Sequence, residues 1–118
     1  LCVDLLFTGD AAPKKFHYPD HDRMLVSLGE RSLGLRAAQL EAVTRWFTSR
    51  GVRARIETQG IRSQTVARVL AAMEPSLFAE VIARGGARTL KHLLDVPLKY
   101  EDAPEVFCPD LYGAFDFE

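Results

Sequence analysis

Val52 to Gly86, VRARIETQGIRSQTVARVLAAMEPSLFAEVIARGG, reads as strand, sharp turn, helix, strand. Val52, Ala54, Ile56 and Thr58 alternate with Arg53, Arg55 and Glu57, a period of two that predicts a strand with one wet face. The turn is Gly60-Ile61-Arg62-Ser63-Gln64. Beyond it Val66, Val69, Leu70 and Met73 share one side of a helix that Pro75 ends. Leu77 to Ala83 (LFAEVIA) is a second strand, closed by Gly85-Gly86.

The same pattern continues outward. Leu33, Ala37, Leu40, Val43 and Phe47 recur at spacings of three and four and predict a helix over 33–50. Ser32 is placed to cap its start and Gly51 its end. Trp46 lies beside the stripe as a packing residue. Cys2 to Phe7 (CVDLLF) is apolar on both faces and reads as a buried parallel strand closed by Thr8-Gly9-Asp10. Residues 11–20 read as a loop, 22–28 as a helical turn or two, and 87–94 as a short helix. From Pro97 onward prolines, Gly113 and aromatics predict a long loop over 98–118, with a helical turn near 111–115. Strands alternating with helices imply parallel crossovers. The expectation is therefore an α/β fold: a single partial domain over 1–118, three-layered, its mostly parallel sheet carrying helices on both faces.

Composition narrows the function classes. The chain has 118 residues, 47% of them apolar, enough for a core. Fifteen Lys and Arg balance sixteen Asp and Glu, so no basic footprint marks a nucleic-acid partner. No apolar run is long enough to span a membrane, and Leu1-Cys2-Val3-Asp4 lacks the form of a signal peptide. The chain opens without Met, directly into an apolar run, and three strands would leave open sheet edges. Both features suggest a segment of a longer protein. Cys2 and Cys108 are too few for a disulfide framework and lack zinc-site spacing, and they read as small buried or half-buried hydrophobes. No cofactor motif is present: Gly9-Asp10 follows a strand, but the later glycines of a nucleotide-binding turn are missing.

The run Leu33 to Trp46, then Val52 to Gly60 (VRARIETQG) and Phe78 to Ala83 (FAEVIA), resembles the middle of an α/β-hydrolase. Leu90 to Leu94 (LKHLL) with Lys99 to Phe107 (KYEDAPEVF) is similar to acetyl xylan esterase-like and dienelactone-hydrolase-like members. The resemblance implies carboxylic-ester hydrolysis through a serine on a Gly-x-Ser-x-Gly elbow, with an ester or acetylated carbohydrate as substrate. It also implies that the turn at Gly60 is that elbow. An acid and a histidine would then follow on later strands, in the remainder of a longer chain or in a second hydrolase-like domain. His17, His21 and His92 come too early for that role.

The elbow is degenerate. With Gly60 as its first glycine, Arg62 stands at the serine position and Gln64 at the second glycine. A guanidinium is always protonated and cannot attack a carbonyl. Ser63, one place late, is either a shifted nucleophile or a helix cap. Arg62 is either an anion-binding group at a helix N-terminus or an arginine paired with Glu57 or another acid. His17 and His21 are four apart, but Pro19 between them argues against a helical metal pair. Glu101, Asp102 and Glu105 near Tyr100 read as acids on an exposed loop, with acid–base work as the alternative. A non-catalytic hydrolase-like binding or structural domain is thus the competing reading of the whole chain.

Overall fold

Parallel pairing of two strands through one helix organises the molecule. The computed structural model describes residues 1–12, 14 and 18–117. In order, these contain a 3-10 turn at Gly9–Ala11, α1 (Tyr18–Ser27), α2 (Ser32–Thr48), β1 (Ala54–Gln59), α3 (Gly60–Met73), β2 (Phe78–Arg84), α4 (His92–Asp95), a 3-10 turn at Pro104–Phe107 and α5 (Leu111–Ala114). β1 and β2 are parallel, from Arg55 opposite Glu80 to Gln59 opposite Arg84, with an irregularity between Ala54 and Arg55. α3 is the crossover that parallel neighbours require. The radius of gyration, 14.2 Å, is near the roughly 13.5 Å of a compact chain this long.

The fold is α/β, with a sheet smaller than expected. Only β1 and β2 pair among the described residues. Cys2–Phe7 is not a strand, because a turn and two α2 side chains take its polar groups. Leu5 O accepts the Thr8 amide at 2.9 Å. The Leu6 amide goes to Gln39 Oε1 and the Leu6 carbonyl to Arg36 Nε. Phe7 has a φ of 62°, outside the extended region. The expected wet face of β1 is present: Arg55, Glu57 and Gln59 are exposed, while Ala54, Ile56 and Thr58 turn inward. On that outer face Arg55 pairs with Glu80 at 3.1 Å and Arg84 with Glu57 at 2.5 Å. Ion pairs occupy the surface where a second helical layer was expected.

α2 and α3 pack together, and α3 lies on both strands. Leu33, Ala37 and Leu40 from α2 meet Val66, Ala67 and Leu70 from α3. Each leucine fully buried this way contributes about 1.5–3 kcal/mol. Ser32 does not cap α2: it is the first helical residue, and Arg31 holds the cap position without a side-chain capping bond. Gly51 does terminate it. With φ at +77°, Gly51 donates to Thr48 O and Val52 donates to Phe47 O, the paired bonds of a left-handed C-terminal cap. Trp46 is half exposed, with Arg50 stacked 3.7 Å from its ring.

α1 starts earlier than expected, at Tyr18. Pro19 falls in its first turn, where no intrahelical amide bond is required. His17 lies outside the described residues, and the ring of His21 sits 5.2 Å from that of Phe7. The stretch after Pro97 supplies core rather than a peripheral cover: Ala103, Val106, Leu111 and Phe117 are buried in the main cluster. The helical turn near 111–115 is α5. Cys108 is half-buried, and burial raises its thiol pKa above the ordinary value; Cys2 is exposed, contrary to expectation.

Asp116 ties down the C-terminal end. Its carboxylate accepts the Thr89 hydroxyl at 2.6 Å and the Leu90 amide at 2.7 Å. Those bonds, the Thr89 hydroxyl foremost, hold its pKa below the ordinary carboxylate value. The helix expected over 87–94 is reduced to α4, His92–Asp95. A group with a depressed folded pKa stabilises above its unfolded pKa, about 3.9 for Asp. That contribution disappears as pH falls through the lower folded value. In an NMR pH titration the Leu90 amide is expected to shift with a midpoint below that of a free aspartate; an ordinary midpoint would refute the tether.

Candidate functional site: the strand-to-helix elbow

Gly60 joins β1 to α3 with φ at +79°, a conformation that disfavours any residue carrying a Cβ. This is the sharp turn anticipated from the sequence. A cavity of about 600 Å³ opens beside it, bounded by the N-terminal segment, α2, β1 and the first turns of α3. Leu5, Arg36, Ile56, Arg62, Ser63 and Glu105 are among its walls.

Arg62, two residues past Gly60, is tied into a buried ion cluster. Arg62 Nε donates to both Glu105 oxygens, at 3.0 and 3.3 Å. The guanidinium of Arg36 closes on Glu105 Oε1. Glu105 and Arg36 are each 1% exposed, whereas Arg62 retains 31%. Arg36 Nε also donates to Leu6 O at 2.7 Å. One carboxylate therefore links α2, α3 and the Pro104–Phe107 turn, and through Arg36 the N-terminal segment. Such a cluster offsets its desolvation only through close geometry and satisfied hydrogen bonds.

Ser63 is four residues into α3. Its hydroxyl donates to Gln59 O at 2.7 Å and accepts the Gln59 amide at 3.1 Å. It reaches back around the turn instead of capping from the preceding position. Gln64 is buried and bonds both backbone groups of one residue: Nε2 donates to Ala87 O at 2.6 Å, and the Ala87 amide donates to Oε1 at 2.9 Å. A Cβ on Gly86 would run into Gln64 Oε1, so Gln64 in this position leaves no room for a side chain at 86. Ile61 packs at the edge of the core.

The acidic group near Tyr100 is dispersed. Glu105 is buried in the cluster, Glu101 meets Arg23 at the surface at 3.1 Å, and Asp102 is exposed. Glu57, proposed as a partner for Arg62, pairs with Arg84 instead. Arg36 went unnoticed in the sequence, although its place was visible. It lies three residues after Leu33 and four before Leu40, inside the apolar stripe, where an arginine needs a buried acid. Glu105 stands between Pro104 and Val106, both buried, which is a weaker sign of the same kind.

No family model, curated protein or solved structure matches this chain. Among the described residues no helix is long and apolar enough to cross a membrane.

Proposed function

We propose that the chain is a non-catalytic, hydrolase-like binding or structural unit that resembles acetyl xylan esterases and whose elbow has become a joint. The ion pair of Arg62 with buried Glu105 carries this reading. It places a permanently charged group at the nucleophile position and uses that group to hold three elements together. Gln64 supports the same reading, since it fills the second glycine position with a clamp on Ala87. In this reading β1 and β2 belong to a three-layer sheet with helices on both faces. Their open edges would receive strands from the remainder of a longer chain or from a second hydrolase-like domain. The cavity at the elbow would then hold an ester or acetylated carbohydrate without cleaving it.

One observation favours the alternative, carboxylic-ester hydrolysis: Ser63 lines the cavity. To react, its hydroxyl would leave Gln59 O, give its proton to a base and attack the ester carbonyl; the alcohol would depart with that proton, and water would then open the acyl-enzyme to the acid and free serine. Exposure of the chain to a fluorophosphonate probe separates the two readings. The joint predicts no covalent adduct and no aryl-acetate turnover above that of Ser63→Ala. An adduct mapped to Ser63 and lost in Ser63→Ala would establish the esterase reading instead.

A further inference from the structure

A second cleft, of about 310 Å³, opens at the carboxyl end of β2, between the glycines that follow the strand and α3. It is independent of the elbow cavity, with which it shares no lining residue. Ligands of parallel α/β sheets gather at the carboxyl ends of the strands. The volume lies at the lower end of the roughly 300–1,000 Å³ of small-molecule sites.

Three observations meet there. Arg68 lines the cleft one helical turn after Gln64, on the same face of α3. Arg36 and Arg62 share Glu105, whereas Arg68 forms no hydrogen bond or ion pair among the described residues. Its Nε is closed off from solvent, but Nη1 and Nη2 are not, so the guanidinium is partly desolvated and still reachable from the cleft. A half-buried cation in that state gains from an anion that meets both Nη groups. Arg88 stands exposed in the same wall, and no acidic residue lines the cleft among the described residues. Asp116, next to the lining Phe117, turns its carboxylate to the Thr89 hydroxyl and the Leu90 amide. Gly85 and Gly86 are exposed and bring bare backbone to the cleft, beside the Ala87 that Gln64 holds.

We propose that this cleft binds the phosphoryl group of inorganic phosphate or of a small phosphomonoester. The Nη edge of Arg68 meets two of its oxygens, Arg88 adds the second positive charge, and the side-chain-free backbone at Gly85 and Gly86 permits close approach. A carboxylate carries one charge and two oxygens, so it satisfies the two cations less well than a phosphate dianion. A neutral polyol satisfies neither.

The test is an NMR titration of the isotope-labelled 118-residue chain at constant ionic strength with inorganic phosphate, glycerol 3-phosphate, glycerate and glycerol. Both phosphates are expected to give saturable shifts at Gly85, Gly86, Arg88 and the Arg68 Nε–H, and the tighter of the two identifies the source of the phosphoryl group. Glycerate is expected to bind at least about tenfold more weakly, and glycerol not at all. Arg68→Met keeps the stem and removes the charge, and is expected to weaken phosphate about tenfold. Arg88→Gln is a second variant at an exposed position, with an expected loss of about threefold or more. Arg50→Gln, far along the chain on the stacked Trp46, is the control and is expected to change nothing. No saturable shift up to ~10 mM phosphate would overturn the proposal. So would glycerate binding as tightly as the phosphates, unchanged affinity in a folded Arg68→Met or Arg88→Gln chain, or an equal loss in Arg50→Gln.

Discussion

Glu105→Ala is expected to destabilise the protein by about 3–5 kcal/mol, because it strands two guanidinium groups on a buried face. Arg36 suffers most, being 1% exposed, while Arg62 retains 31% and can turn toward water. Arg62→Ala is therefore expected to cost clearly less than Glu105→Ala. Domains of this size are stable by only about 5–15 kcal/mol, so loss of the carboxylate removes a large share of the total. Urea unfolding of the three proteins measures the order. The triple change Arg36→Met, Glu105→Leu, Arg62→Met removes all the charges together and is expected to fall within about 1–2 kcal/mol of the parent, since no charge is left unpaired. A Glu105→Ala midpoint unchanged from the parent would show that the cluster contributes nothing to the joint. That outcome would also withdraw the main support for the proposed function.

Gln64→Ala is the second large effect, at about 2–3 kcal/mol. It deprives the Ala87 amide and carbonyl of their partner at once and leaves a void beneath Gly86. Gly86→Ala is expected to cost about 1–3 kcal/mol by overpacking, because its new methyl group meets Gln64 Oε1. Together the two changes relieve each other, since the methyl enters space the glutamine has vacated. The double variant is expected to be no less stable than Gln64→Ala alone, giving a coupling that a double-mutant cycle reads directly. Additive costs would mean that Gln64 and Gly86 are not in contact.

The elbow was legible because its signals are local. A period of two ending at Gly60 and a period near 3.6 starting there leave one place for the turn, and only glycine takes a φ of +79° without strain. The stripe of α2 and the left-handed stop at Gly51 were readable for the same reason. Cys2–Phe7 was misread because an apolar run states that a segment is buried, not what satisfies its backbone. Gln39 and Arg36 take those groups, and neither is near in sequence. The loop after Pro97 was misjudged in the opposite direction. Its prolines interrupt periodicity, so Ala103 and Val106 carried no pattern to mark them as core.

α2, the β1–α3–β2 unit and the sharp turn at Gly60 follow from the chain's residue types and their spacing. These properties depend on neighbours within a few residues. Which acid neutralises Arg62, which side chain crowds Gly86, and which hydroxyl meets buried Asp22 were decided only by packing. Glu105 is 43 residues from Arg62, Ala87 is 23 from Gln64, and Tyr100 is 78 from Asp22. The chain brings these groups together when its apolar faces close, and burial then makes each polar pairing obligatory.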